Sequence, residues 1–392
     1  MKKYDLIVVG SGVGLTVLSQ ALNQGLSCAL IEKSKMGGTC LTKGCIPSKV
    51  LVYPADQIRE AEHSQTIGLM YETPKVNWDM ISNRMWSQIN ESEDIDQSLS
   101  HAQNLTIYRG TGEFTGKYKM KVSLNDPQDY SEEFKGKKIV LASGARTLIP
   151  PIKGLHDVGY ITSETFFFFF FPEKPWKDLI IVGGGIIAAE FAHIFSALGT
   201  KITIVEMLPR LVQTEEPQIS KVLKNELQHN MTVLTNTRAI EADVKANRKR
   251  IKVEDTKTKE TRILEAEEIF IATGRRSNAD ILKAETAGIH LTNKGWIKTN
   301  RFLETNIKNI WAIGDANGKY QFRHKANHDA EVLVRNLFGR GDKKQSIDYS
   351  AVPWTIFTYP QIAHVGLTEQ EALDQGNSIF RAIKTYKSVA KG

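Results

Sequence analysis

Cys40 and Cys45 lie in the run Gly37-Gly38-Thr39-Cys40-Leu41-Thr42-Lys43-Gly44-Cys45-Ile46-Pro47-Ser48-Lys49, separated by four residues. Pro47 marks the first turn of a helix, so Cys45 is expected at its N-terminal end. There the helix dipole should lower the thiol pKa and favour a thiolate. Lys49, four residues past Cys45, falls one turn along on the same face and adds a positive charge. The pair is a candidate redox centre. The competing readings are a zinc half-site or two unrelated core cysteines. No second cysteine pair and no nearby histidine support zinc. Cys28 reads as a small core residue in mid-strand.

Two units could position this centre. The apolar run Tyr4–Val9 reads as a buried parallel strand. It leads into Gly10-Ser11-Gly12-Val13-Gly14, then a helix to about Gln24 stopped by Gly25, then a strand ending at Glu32. A strand, glycine turn, helix and strand with an acid about 20 residues on is a dinucleotide site. The glycines admit a pyrophosphate, the helix N-terminus binds it, and Glu32 accepts from a ribose hydroxyl. Leu15 stands where the pattern has Gly or Ala, which predicts looser packing of helix on strand.

The unit recurs. Asp178–Val182 is a strand, Gly183-Gly184-Gly185-Ile186-Ile187-Ala188 is a complete glycine turn, and the next helix runs through Glu190 to about Leu198 with Gly199 after it. The strand Lys201–Val205 ends at Glu206. Two such units imply two dinucleotides. A carboxylate at Glu206 binds the 2′-hydroxyl of NAD and repels a 2′-phosphate, which favours NAD over NADP despite Arg210 nearby.

The 392 residues, 41% hydrophobic and 24% charged, allow two or three domains. The net charge of +7 is spread among acids. The densest basic run, Arg248–Arg250 with Lys252, reads as a solvated hairpin face rather than a nucleic-acid contact. Neither a signal peptide nor a membrane span is expected, and three cysteines make no disulfide scaffold. A cytoplasmic enzyme without a metal site follows.

The segment Gly37–Lys49 resembles the G-G-T-C-x-x-x-G-C-[IV]-P-[ST]-K hallmark of the pyridine nucleotide-disulfide oxidoreductases, and the resemblance runs along essentially the whole chain. Ile139–Ala145 and Ile269–Arg275 look like the family's two A-T-G turns, with Ser143 replacing Thr. Trp311–Asp315 looks like the segment whose Asp holds the flavin ribityl chain, and Gln321–Lys325 like the helix start facing the flavin ring. The resemblance implies a Cys40–Cys45 disulfide, with Cys45 in contact with FAD and Cys40 exchanging with substrate. It pairs Glu190 with Lys49. It places FAD on Gly10, Gly12, Gly14, Glu32, Lys33, Gly38, Thr39, Lys49, Gly112, Ser143, Gly144, Asp315, Gln321, Phe322 and His324. It places NAD on Gly183, Gly185, Ala188, Glu190, Glu206, Ala239 and Gly274.

Subfamily signals diverge. Ala188–Gly199, Arg275–Asp280, His324–His328 and the missing glycine at Leu15 look like mycothione reductase, whereas Glu206 looks like the NAD-specific dihydrolipoamide dehydrogenases. Cofactor charge is the more direct physical criterion, so the expected function is dihydrolipoamide dehydrogenase-like: electrons pass between a dithiol or lipoyl-domain substrate, the disulfide, FAD and NAD. The alternatives are reduction of a small disulfide of the mycothione or glutathione kind, a mercuric reductase, and an inactive FAD/NAD-binding fragment.

The implied fold is α/β, with two Rossmann-like domains, one inserted in the other, and part of an α+β interface domain. The expected boundaries are 1–150 and 275–348 for the FAD-binding and central parts, 151–274 for the NAD domain and 349–392 for the interface domain. Against the family pattern the chain resembles a C-terminally truncated member. It would lack a His–Glu acid/base pair and most of the surface of an expected homodimer. Six consecutive phenylalanines, Phe166–Phe171, fit neither amphipathic period and read as an interaction patch, an aggregation hazard or a sequence error. Pro54 should kink the helix that follows Lys49.

Overall fold

A computed structural model describes residues 1–72, 74–126, 129–341 and 343–389. Two parallel sheets organise the chain. The first has the strand Lys2–Val9 at its centre, flanked on one side by Cys28–Glu32 and then Leu105–Gly116, and on the other by Phe134–Leu141 and then Ile310–Ala312. Lys119–Leu124 pairs in antiparallel register with Leu105–Gly116 and with the start of Phe134–Leu141. The second repeats the plan: Asp178–Val182 is central, with Lys201–Val205 and Thr232–Leu234 on one side and Glu268–Ile271 and Ile161–Thr162 on the other. The central strands are apolar and buried over Leu6–Val9 and Leu179–Val182, because helices or loops cover both faces there. Thus the first sheet draws strands from both ends of the chain, and the second lies between them in sequence. The chain is mixed α/β with two Rossmann-like nucleotide folds.

Both central strands end in a glycine with positive φ, Gly10 at 99° and Gly183 at 114°. A Cβ on Gly10 would lie 2.3 Å from the Ala142 carbonyl oxygen, and one on Gly183 would lie 2.2 Å from that of Ala272. Only glycine can turn the chain there against the neighbouring strand. The following helices, Gly14–Asn23 and Ile186–Ala197, have no side-chain N-cap and no acid in the first turn. Their first N–H groups therefore remain for an anion.

The looser packing expected at Leu15 does not occur. Gly14 makes the close approach instead: a Cβ there would meet Val8 Cγ1 at 2.7 Å. Leu15 turns its side chain onto the apolar cluster of Val13, Leu18 and Val332.

The Cys45–His63 helix passes through Pro54 as one continuous element. A three-stranded antiparallel sheet, Thr237–Lys245, Arg248–Asp255 and Thr261–Ala266, carries the basic run, where Arg248 pairs with Asp178, Lys249 with Glu268 and Arg250 with Asp243. Residues 349–389 add an antiparallel pair, Pro353–Ile356 with Ile362–Val365, and a short helix, Glu369–Asp374. Among the described residues no helix is long and apolar enough to cross a membrane.

The phenylalanine run divides. Phe166 and Phe167 are fully buried against Phe191, with Phe166 also meeting Phe195. Phe171 stacks on Trp78 at 5.2 Å, with the planes 8° apart. Phe169 and Phe170 are exposed, at 78% and 49%. A turn at Phe167–Phe169, rather than a helix or strand, sorts the six rings between core and solvent.

Candidate active site

The two glycine turns open into one cavity of about 930 Å³. Its wall includes Gly10, Gly12, Glu32, Lys33, Gly38, Thr39, Cys40, Cys45, Lys49, Gly112, Ser143, Gly144, Asp315, Gln321 and Phe322 from the first set of expected residues. From the second set it includes Gly183, Gly185, Glu190, Glu206, Ala239 and Gly274. Gly14 and Ala188 sit behind the wall, buried in helix packing. His324 is exposed and off the wall, because the helix Arg323–Phe338 turns it away from the cavity.

Cys40 belongs to a short helix, Gly38–Thr42, and Cys45 is the first residue of the long one. Both are free thiols on the cavity wall. They lie close together, and the strongest influence on each thiol is the other. That contact, helped by the charges of Arg323 and Lys49, brings the Cys40 thiol down to about 7. Cys45 is pushed up, first by the neighbouring Cys40 and then by desolvation. The sequence placed the acidic thiol at the helix start, Cys45. The two thiols share one thiolate between them, because a second negative charge beside the first is disfavoured.

Lys49 Nζ donates to Glu190 Oε2 at 2.8 Å. Glu190 is buried in the helix Ile186–Ala197, so this ion pair ties the two nucleotide folds together at the cysteines. Phe357 closes it from the C-terminal segment: its backbone N–H donates to Glu190 Oε1 at 3.1 Å, and Lys49 Nζ sits 4.5 Å from its ring centroid. Phe357 makes its contact with Glu190 through a backbone N–H. A periodicity or spacing rule has no handle on such a residue.

The residues present fit FAD. Ser143 Oγ on the wall is buried and has no hydrogen-bond partner among the described residues. Glu32 accepts from Ser11 N at 2.8 Å, Ser11 Oγ at 2.7 Å and Ser34 N at 2.8 Å, which fixes the carboxylate at the end of its strand. It retains acceptor capacity for a ribose hydroxyl. Burial pushes the Asp315 carboxyl above its usual range.

At the second turn Glu206 is buried and accepts from Leu208 N at 2.7 Å. Burial raises its pKa. Arg210 is turned away, its guanidinium donating to the Glu215 carbonyl at 2.6 Å and to Ser220 Oγ at 3.3 Å. No cation therefore balances a 2′-phosphate from that position. Among the described residues no group of three or more His, Cys, Asp or Glu could hold a metal ion.

Residues 4–330 match the family described as Pyridine nucleotide-disulphide oxidoreductase. The chain is 32% identical over 404 residues to the mycothione reductase of Mycobacterium tuberculosis, covering 100% of this chain and 84% of that protein. It is 33% identical over 404 residues to the dihydrolipoyl dehydrogenase of Synechocystis, covering 99% and 82%. Among solved structures, the Cu(II) complex of the HOCl-induced flavoprotein disulfide reductase RclA from Escherichia coli superposes with a TM-score of 0.81 at 27% identity, over 96% of this chain and 80% of that one. Fold, paired cysteines and matches agree: the chain belongs to the class I pyridine nucleotide-disulfide oxidoreductases. Its cofactors are FAD and NAD.

Proposed function

We propose that this protein is an NAD(H)-linked dithiol/disulfide oxidoreductase of the dihydrolipoyl dehydrogenase kind. One observation carries the proposal: Cys40 and Cys45 meet beside the Lys49–Glu190 pair on the wall of the cavity into which both glycine turns open. The choice of NAD rests on buried Glu206 and on the diversion of Arg210.

In the oxidised enzyme the thiolate of a dithiol substrate attacks Cys40 Sγ, and Cys45 leaves as thiolate. The second substrate thiolate then attacks the substrate sulfur of the mixed disulfide and expels Cys40. The substrate departs as a disulfide, and its two electrons reside in the Cys40–Cys45 dithiol. Lys49 holds positive charge beside the new thiolate, and Glu190 fixes the lysine in place. FAD, which the first glycine turn, Glu32 and Ser143 would hold, would supply the two-electron chemistry that links this dithiol to NAD. Run backwards, the same steps reduce a disulfide at the expense of NADH.

The expected division at 150, 274 and 348 is supported by the membership of the two sheets. A homodimer is supported by apolar side chains exposed on the C-terminal segment, among them Val365, Leu367 and Phe380. Dihydrolipoamide-dependent reduction of NAD, compared with NADPH-dependent reduction of mycothione and glutathione disulfides, tests the assignment. Turnover with NAD and dihydrolipoamide is the expected result. A preference for NADPH and a small disulfide would replace it.

A further inference from the structure

Three arginines line the cavity. Arg238 pairs with Glu254 and Arg275 with Glu164. Arg323 is exposed and has no carboxylate partner among the described residues. Its base is nevertheless fixed. Phe322, the residue before it, stacks on Trp354 at 5.1 Å with planes 5° apart, and the Trp354 indole N–H donates to buried Glu215 at 2.8 Å. Two residues after it, Lys325 is fully buried and bonded to Gly314 O, Asn317 Oδ1 and Asp329. An unpaired guanidinium is thus held between two anchored neighbours beside the redox cysteines.

Position distinguishes Arg323 from Lys49. Lys49 acts on both thiols, whereas Arg323 acts on Cys40. Lys49 already has a carboxylate partner in Glu190 at 2.8 Å. The cation left free is the one on the Cys40 side.

We propose that Arg323 is a specificity-determining residue: it receives a carboxylate carried by the thiol or disulfide that exchanges with Cys40. The guanidinium fork suits a carboxylate, to which it can donate two parallel hydrogen bonds. The proposal rests on the reading above that Cys40 is the exchanging thiol. It makes a thiol or disulfide that carries a carboxylate exchange with Cys40 faster than the corresponding amide, which still reacts.

The test uses the FAD-bound protein, reduced with dithiothreitol and freed of it, and follows loss of alkylatable Cys40 and Cys45. The two oxidants are dithiodipropionate and its diamide, equal in size and differing in charge. Working well above the Cys40 pKa keeps the thiolate fraction constant, and each rate for the acid is divided by that for the amide. Replacing Arg323 by Gln should lower this ratio about fivefold, the upper range for an exposed ion pair. Arg323→Lys should keep most of it, and high salt should erode it in the wild type alone. Flavin content should be the same in wild type and Arg323→Gln. An unchanged ratio in Arg323→Gln overturns the proposal, as does loss of flavin from that variant, which would give the arginine to the cofactor. If neither oxidant reacts with the wild type, the disulfide-exchange reading itself falls, and this proposal with it.

Discussion

At Cys40 the neighbours set the acidity: the adjacent Cys45 thiol and the charges of Arg323 and Lys49 outweigh desolvation. A thiol whose pKa is lowered gains its reactive form as pH rises through that value. Iodoacetamide labelling of the reduced protein should therefore rise with a midpoint near 7 at Cys40. Cys45 should label only at higher pH. Lys49→Met should move the Cys40 midpoint upward by about one pH unit, as expected for loss of a neighbouring positive charge. A midpoint that stays in place would show that Lys49 does not act on the pair. Glu206 makes a second residue-scale prediction. Glu206→Ser should lower kcat/KM for NADH about tenfold through loss of the hydrogen bond to the ribose. It should relieve repulsion of NADPH without creating a new contact, since Arg210 is engaged elsewhere. Steady-state kinetics with both nucleotides would decide this.

Elements carried most of what was legible in advance. Each glycine turn sits between an apolar strand and a helix, and each acid ends the next strand, because a local chain path of about 30 residues builds the whole unit. The Leu15 reading erred because the pattern assigns close packing to one position, whereas here Gly14 supplies it one residue earlier. Restoring the pattern with Leu15→Gly should then destabilise the fold by about 1–2 kcal/mol, through lost helix propensity and lost packing. Thermal unfolding would show it, and an increase in Tm would contradict the packing described. The phenylalanine run was opaque for a related reason: six identical residues hold no periodicity from which to choose a face. Phe171→Ala should cost about 1–3 kcal/mol by removing its stack on Trp78. Phe169→Ser should change stability by less than about 0.5 kcal/mol. Urea unfolding of the two variants side by side separates core from surface.

On the scale of the whole molecule, what the sequence concealed are the ties between distant segments. Lys49 and Glu190 were joined by resemblance, but their closure by Phe357 was not foreseen. Nor was the cluster in which Glu215 accepts from Trp354 and also pairs with His364 at 2.9 Å. His193 meets Asp56 at 2.7 Å and so joins the helices Ile186–Ala197 and Cys45–His63. Such contacts depend on how separate folds dock, and no local pattern encodes that. They hold both nucleotide turns against one cavity, which lets electrons move between two cofactors and one cysteine pair. The direct measurement is anaerobic addition of stoichiometric NADH to the oxidised, FAD-containing protein, followed by alkylation and mass spectrometry. Cys40 and Cys45 should both become alkylatable, while buried Cys28 stays unlabelled. The same protein stripped of flavin should show no change. If NADH reduces the flavin and the two cysteines remain closed to alkylation, electrons do not reach the pair, and the central claim is wrong.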